Sequence, residues 1–277
     1  MRIHTLTPLP VVILAGGLGT RLGQESDRTP KPLVRIGPHP ILAHIISIYV
    51  NQGHNEFVIC AGFKADQIKE YFSNFTNNYS SPRITFHQNS QDVKYLSDDE
   101  DILGLGGGNW NVTVVDTGLD TTTAGRLSKV AKLIDSDTFL CTYGDGVSDL
   151  NINEVIAFHH KSKTLGTLTA FHPPSRFGEI DVASDGKVIR FQEKPLTATY
   201  VNGGFFVFNA QVLQDIDNQL TLEEGLLSQL TMKSELSAFL SNSYWQMMDT
   251  PREVEILNHM YSEGKAPWVS ARQNTQF

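Results

Sequence analysis

The feature that most constrains this chain is a short apolar run that ends in three closely spaced glycines. Val11–Ala15 reads V-V-I-L-A, a length and β-branched content typical of a buried parallel strand. Gly16, Gly17 and Gly19 follow at once, and glycine lets a backbone come close to a ligand. Because exposed N–H groups in such a turn suit a phosphate, the stretch predicts a strand followed by a phosphate-binding loop.

Two cations follow the glycines, Arg21 and Lys31, and the second lies between Pro30 and Pro32. Together with the glycine turn they indicate a site for a nucleoside triphosphate. A glycine pair after a strand is often only a tight turn. Neither G-x-x-x-x-G-K-S/T nor a G-x-G-x-x-G that opens a helix is present, so the glycines alone leave both interpretations open.

The rest of the chain alternates strand-like and helix-like segments. Residues 40–51 predict a mostly buried helix, 56–60 a strand, 66–75 an amphipathic helix and 138–143 another buried strand. Strands that alternate with helices imply right-handed βαβ units and an α/β fold with a doubly wound, mostly parallel sheet. Short β segments between residues 176 and 209 predict a small added β region.

Two aspartates are candidate metal ligands. Asp145 follows the strand at 138–143 and lies between two glycines, and ligands gather at the carboxyl ends of parallel strands. Asp249 precedes Thr250 and Pro251. Mg²⁺ is often held by one or two carboxylates together with substrate phosphates. The alternatives are an aspartate in a tight turn for Asp145 and a helix N-cap for Asp249.

Arg126 is a further candidate, at the start of a helix predicted over residues 125–134. As a cation it could contact a phosphate or a base, and the alternative is a surface arginine at a turn. Sequence alone does not separate the two.

Composition excludes some classes of partner. The 277 residues carry a formal net charge of −8, which argues against nucleic acid or an anionic membrane as a partner. Cys60 and Cys141 lie in apolar strand-like runs and are expected to be buried thiols, compatible with a reducing cytoplasm. We expect neither a membrane span nor a secretory signal, and hence a cytoplasmic protein.

Six strings occur in an order that resembles the sugar-phosphate nucleotidyltransferases, and most closely the glucose-1-phosphate cytidylyltransferases. They are L-A-G-G-L-G-T-R-L, T-Y-G-D-G-V-S-D-L, P-P-S-R-F-G, F-Q-E-K-P, N-G-G-F-F-V-F and W-Q-M-M-D-T. The resemblance implies a Rossmann-like nucleotidyltransferase fold over residues 1–277, with a nucleotide half at 10–150 and a sugar-binding and C-terminal half at 151–268. It also implies CTP and a sugar 1-phosphate as substrates, Mg²⁺ as cofactor, and a homo-oligomer, either a trimer or a hexamer.

The same resemblance implies roles for individual residues. Lys31 and Arg21 act on the reacting phosphates, and Asp145 and Asp249 bind Mg²⁺. Lys31, Glu193, Lys194 and Asn202 contact the sugar phosphate. The nucleotide is contacted by Leu14, Ala15, Gly16, Gly17, Leu18, Gly19, Thr20, Arg21, Arg126 and Gly144.

The chain also departs from the family pattern. Thr29 stands where a second lysine is frequent, and residues 222–227 read L-E-E-G-L-L in place of W-E-x-E-P-L. The stretch 88–110 holds G-L-G-G-G and predicts a long loop, either solvated or placed at a subunit contact or over the active site. Alternatives therefore stay open: another phosphate monoester as acceptor, UTP or dTTP as donor, or an inactive binding homologue.

Overall fold

The computed structural model of the protein describes residues 7–19, 29–78, 85–86, 93–97, 110–173, 175 and 177–270. The strands are β1 Val11–Ala15, β2 Arg35–Ile36, β3 His39–Pro40, β4 Glu56–Ala61, β5 Thr85–Phe86, β6 Val93–Ser97, β7 Trp110–Asp116, β8 Thr138–Tyr143, β9 Gly146–Ser148, β10 Gly166–Phe171, β11 Glu179–Val182, β12 Val188–Gln192, β13 Val201–Asn209, β14 Leu236–Ser241 and β15 Trp245–Met247. The α-helices are α1 Ile41–Val50, α2 Ala65–Asn78, α3 Thr123–Val130, α4 Ile152–Ser162, α5 Ser228–Met232, α6 Pro251–Ser262 and α7 Pro267–Ser270. Short 3₁₀ turns cover Lys31–Leu33, Ala131–Leu133 and Ala210–Leu213, and a π-helical turn covers Glu223–Leu227.

Nine strands form one sheet in the order β14-β10-β13-β8-β1-β4-β7-β6-β5. Strands β8, β1, β4 and β7 are parallel neighbours, and β10 and β14 are parallel at one edge. Strands β13 and β6 are antiparallel to their neighbours. The sheet is therefore mixed and mostly parallel, which confirms the predicted α/β fold.

The apolar run at β1 is continuous because both faces of the sheet are covered. Val11, Ile13 and Ala15 pack in one core with α1, whereas Val12 and Leu14 pack in a second core with α3. All five side chains are buried, as expected for a central parallel strand between two helical layers. The two cysteines are free and buried, as predicted.

Two segments differ from the sequence expectation. Val93–Ser97, within the stretch expected to be a loop, forms β6 and pairs antiparallel with β7; most of the remaining stretch between residues 88 and 110 lies outside the described residues. The predicted added β region is a separate hairpin of β11 and β12. Strand β13 instead enters the main sheet between β10 and β8. No helix within the described ranges is long and apolar enough to cross a membrane.

A buried histidine joins α1 to the C-terminal helix. His44 is 1% exposed, and its Nδ1 accepts a hydrogen bond from the Trp268 indole at 3.3 Å. Its Nε2 therefore carries the proton and donates to the carbonyl of Ile36 at 3.0 Å. Burial lowers the pKa of His44 from 6.5 to about 4.

This histidine predicts a pH dependence of stability. Below pH 6.5 the unfolded imidazole binds a proton, whereas the folded one stays neutral until about pH 4. The neutral, buried His44 therefore makes its full contribution to the free energy of unfolding above pH 6.5. About 3 kcal/mol of this contribution is lost as the pH falls toward 4. In urea titrations over this range, His44→Gln should flatten the profile, while His160→Gln, at an exposed position, should not. A His44→Gln profile with the parental slope would contradict the expectation.

Candidate active site

A cavity of about 450 Å³ opens where β1 and β8 end. The carboxyl ends of adjacent parallel strands meet here, the usual place for a ligand in an open α/β sheet. The cavity is lined by Leu14, Ala15, Gly16, Gly17, Gly19, Lys31, Pro32, Thr121, Thr122, Thr123, Arg126, Tyr143, Gly144, Asp145, Thr221 and Asp249.

Lys31 forms the charged centre of the cavity with two aspartates. Its Nζ lies 2.5 Å from Oδ2 of Asp145 and 2.5 Å from Oδ1 of Asp249. The side chain of Lys31 is 12% exposed, and those of the two aspartates are 21% and 31% exposed. Three residues separated by up to 218 positions in the chain thus meet at one point.

The backbone brings the two aspartates together through a short pair of strands. Strand β9 begins just after Asp145, strand β15 ends two residues before Asp249, and the two strands pair antiparallel. The N–H of Met248 donates to the carbonyl of Asp145 at 2.8 Å. Lys31 lies on a 3₁₀ turn that begins after Pro30.

The predicted alternative for Asp249, a helix N-cap, is wrong. Thr250 caps α6, and its hydroxyl accepts from the N–H of Glu253 in a capping box. The N–H groups of Asp249 and Thr250 both donate to the Glu253 carboxylate. The carboxylate of Asp249 is thereby directed to Lys31 rather than to the helix end.

The negative charges of Asp145 and Asp249 keep Lys31 protonated. Burial alone would lower the pKa of Lys31, but the adjacent Asp145 and Asp249 outweigh burial, so the pKa lies above its ordinary value. A fixed ammonium group therefore faces the cavity at every physiological pH.

Arg126 lies under the glycine loop rather than on the surface, which excludes the surface alternative. It is 3% exposed, and burial lowers its pKa from the ordinary value. A Cβ atom added at Gly16 would lie 2.2 Å from the guanidinium, so that glycine is required by the close approach of the arginine. The guanidinium donates to the carbonyls of Ala61, Gly118, Gly16 and Leu119 and to the hydroxyl of Thr117.

We expect Arg126→Met to lower the free energy of unfolding by about 3 kcal/mol, because each buried carbonyl left without a donor costs about 1–3 kcal/mol. Lys129→Met is the matched control: Lys129 is exposed on the same helix and donates to the carbonyl of Thr117, and its loss should cost about 1 kcal/mol or less. Urea titrations measure both. Parental stability of Arg126→Met together with lost nucleotide affinity would instead support the direct nucleotide contact.

Not every predicted site residue reaches this cavity. Leu18 is half exposed, and Glu193 and Lys194 lie exposed just after β12, joined by an ion pair of 3.6 Å. Asn202, at the start of β13, is not among the residues that line the cavity. Thr20 and Arg21 lie outside the described residues.

Three consecutive threonines at the cavity were not predicted as site residues. Thr121, Thr122 and Thr123 line the cavity, and Thr122 caps α3 by accepting from the N–H of Gly125. A helix N-terminus attracts anions through its free N–H groups and dipole. The run T-T-T-A-G-R is a recognisable N-cap signal, so the sequence did contain the information.

Comparisons with known proteins identify the family of this chain. The chain is 45% identical to the glucose-1-phosphate cytidylyltransferase of Salmonella typhimurium, over 94% of this chain and 98% of that one. It is 34% identical to a probable glucose-1-phosphate cytidylyltransferase of Bacillus subtilis, over 94% and 99% of the two chains.

A crystal structure of HddC from Yersinia pseudotuberculosis matches with a TM-score of 0.63 and 20% identity, over 91% of this chain and 99% of that one. At that identity the match supports the fold alone. The family description "Nucleotidyl transferase" matches residues 10–250. Because the family match covers most of the chain and two relatives exceed 30% identity over nearly its whole length, this protein belongs to the nucleotidyl transferase family.

Proposed function

We propose that this protein transfers a cytidylyl group from CTP to α-D-glucose 1-phosphate, which gives a CDP-sugar and pyrophosphate. The observation that carries the proposal is the convergence of Lys31, Asp145 and Asp249 in a cavity bounded by the glycine loop. The names of the two relatives, glucose-1-phosphate cytidylyltransferase, support the choice of substrates.

The residues of the cavity suit direct transfer. An oxygen of the sugar phosphate attacks the α-phosphorus of CTP, a P–O bond forms, and the bond to pyrophosphate breaks on the opposite side. Such a reaction needs alignment and neutralisation of charge rather than covalent help. Lys31 would hold the two reacting phosphates together, while the N–H groups of the glycine loop and Arg21 would bind the leaving pyrophosphate. The attacking oxygen is already anionic, so no general base is needed.

Asp145 and Asp249 would hold Mg²⁺. Both carboxylates contact the same Lys31 ammonium at 2.5 Å, so their oxygens face one point, as a shared cation requires. Within the described part of the chain no group of three or more His, Cys, Asp or Glu side chains forms a metal cluster, and Mg²⁺ commonly uses only one or two carboxylates. When bound, Mg²⁺ supplies charge neutralisation on the triphosphate oxygens.

A panel of substrates tests this function. CTP, UTP, dTTP and GTP are each combined with glucose 1-phosphate and other phosphate monoesters, and pyrophosphate release is measured. We expect CTP with glucose 1-phosphate to give the highest kcat/KM. Preference for another acceptor would fit the departure at residues 222–227 and would correct the acceptor. Absence of pyrophosphate with every pair would contradict nucleotidyl transfer.

We also propose that the protein forms a homo-oligomer, a trimer or a hexamer, through the β11–β12 hairpin. Every residue of the two strands is exposed. Because a two-stranded hairpin alone is only marginally stable, packing against a second copy of the chain would stabilise it. The exposed apolar side chains on and beside the hairpin are Phe177, Ile180, Val182, Val188, Ile189, Phe191, Leu196 and Tyr200, at 43–77% exposure. Together they present on the order of several hundred Å², comparable with the roughly 800 Å² per partner of a stable interface.

Light scattering tests the oligomer. The parent protein is expected to have a mass of three or six chains, and Ile189→Lys with Phe191→Glu, at 70% and 66% exposure, should shift it to the monomer. Met232→Lys is the control, because Met232 is 78% exposed on α5 rather than on the hairpin. A monomeric parent would contradict the proposal.

A further inference from the structure

A polar cluster beside the cavity has no part in the mechanism described above. Tyr143 ends β8 two residues before Asp145 and lines the cavity. Its hydroxyl donates a hydrogen bond to the carboxylate of Glu223, and the side chain of Asn202 lies beside this hydroxyl. We call Tyr143, Glu223 and Asn202 the tyrosine cluster.

The position of the tyrosine is fixed by packing. A Cβ atom added at Gly204 would lie 2.4 Å from the ring of Tyr143, and Gly204 has a φ of +77°. The ring also meets Phe206 edge to face, with centroids 5.6 Å apart. The ring is thereby held in place, and its hydroxyl donates a hydrogen bond to the carboxylate of Glu223.

The main chain that carries Glu223 is fixed as well. Glu223 begins the π-helical turn Glu223–Leu227, a rare conformation that is frequent at functional sites. Leu222, just before the turn, is fully buried, and its N–H donates to the hydroxyl of Thr123 at 2.7 Å. Glu223 itself is exposed, and two residues near it, Thr221 and its partner Tyr143, line the cavity.

The cluster lies on the side of the cavity away from the glycine loop. In the sheet β8 lies between β13 and β1, the glycine loop follows β1, and Asn202 lies on β13. The cluster therefore joins β8 to the strand on the side away from the glycine loop. Because a carboxylate has about four lone-pair positions and Tyr143 uses one, Glu223 retains acceptor capacity for a second donor.

We propose that Glu223, held by the Tyr143 hydroxyl, accepts a hydrogen bond from a hydroxyl group of the acceptor sugar and so helps to select that sugar. This inference rests on the proposed function and adds a specificity-determining residue to it. Tyr143 acts as a positioning residue, since it reaches the sugar only through the carboxylate. The ionised carboxylate of Glu223 suits this task, because hydrogen bonds to a charged group are stronger than those between neutral groups.

The experiment compares glucose 1-phosphate with its 2-deoxy, 3-deoxy, 4-deoxy and 6-deoxy analogues in the parent and in Glu223→Ala. In the parent, one analogue is expected to lose about 10- to 100-fold in kcat/KM, the range for a hydrogen bond to a charged group. Glu223→Ala should lose the same factor with glucose 1-phosphate, discriminate against that analogue no further, and leave the KM for CTP unchanged. Tyr143→Phe should raise the acceptor KM with a smaller effect on kcat.

Glu224→Ala is the matched control. Glu224 is exposed in the same turn and accepts from the hydroxyl of Thr221, and its loss should leave the analogue pattern intact. If Glu223→Ala melts at a lower temperature than the parent, the analogue pattern is read from Glu223→Gln and Tyr143→Phe instead. Unchanged discrimination against every analogue in the Glu223 variants, or an altered KM for CTP alone, would overturn the inference. Failure of the parent with all acceptors would instead contradict the proposed function.

Discussion

Replacing Lys31 with alanine is expected to lower the turnover number by about 10²–10³-fold, the usual cost of losing one preorganised charge contact to a transition state. The reason is its position: the Lys31 side chain is 12% exposed, and its ammonium contacts both Asp145 and Asp249, so alanine leaves these two carboxylates without the positive charge between them. Pyrophosphate release at saturating CTP and acceptor measures the effect. Near-parental turnover would remove Lys31 from the mechanism.

The Mg²⁺ affinity of Lys31→Ala distinguishes the loss of a charge from a disturbed site. Lys31 contacts the carboxylates that would bind Mg²⁺, so the lysine and the cation compete for the same oxygens. In the absence of substrates, Lys31→Ala should therefore bind Mg²⁺ more tightly than the parent in a calorimetric titration. Lys129→Ala, at an exposed lysine of α3, should change neither turnover nor Mg²⁺ affinity. Weaker Mg²⁺ binding by Lys31→Ala would indicate a disturbed site rather than a lost charge.

The parts of this protein that the sequence predicts best are those with local causes. The run at β1 is apolar at every position because its alternate residues enter two cores, and such a run has few other interpretations. The position of Asp145 at the cavity follows from its place after a buried strand, and Thr250 and Pro251 mark the start of α6; the role of Asp145 as a metal ligand stays a prediction. Each of these signals lies within a few residues of the feature that it predicts.

Other features depend on contacts between distant segments and were missed or left open. The role of Arg126 is set by carbonyls at the ends of β1, β4 and β7, which no local pattern reveals. His159 lies next to the exposed His160 on α4 but is itself 2% exposed, and its ring contacts Thr167 and Asn209 at 2.9 and 3.1 Å. In both cases a polar side chain is buried because remote partners satisfy its hydrogen bonds.

Asp145→Asn is expected to have the largest effect, a loss of at least about 10³-fold in Mg²⁺-dependent turnover. The substitution keeps the shape of the side chain and removes its charge, so the strand pair β9 and β15 should still form. It leaves one carboxylate, that of Asp249, to hold both the cation and Lys31. Turnover is measured across a titration of Mg²⁺, and the melting temperature is recorded with and without the cation.

Asp149→Asn provides the matched control for this loss. Asp149 lies four residues further on, is exposed, and accepts from the N–H of Tyr244 at 2.8 Å, so its charge does not face the cavity. This variant should keep parental turnover within about threefold, together with any Mg²⁺-dependent rise in melting temperature, whereas Asp145→Asn should lose both. Undiminished turnover of Asp145→Asn at limiting Mg²⁺ would show that the two aspartates serve the fold and Lys31 alone, and the metal would then have to be held by the substrates.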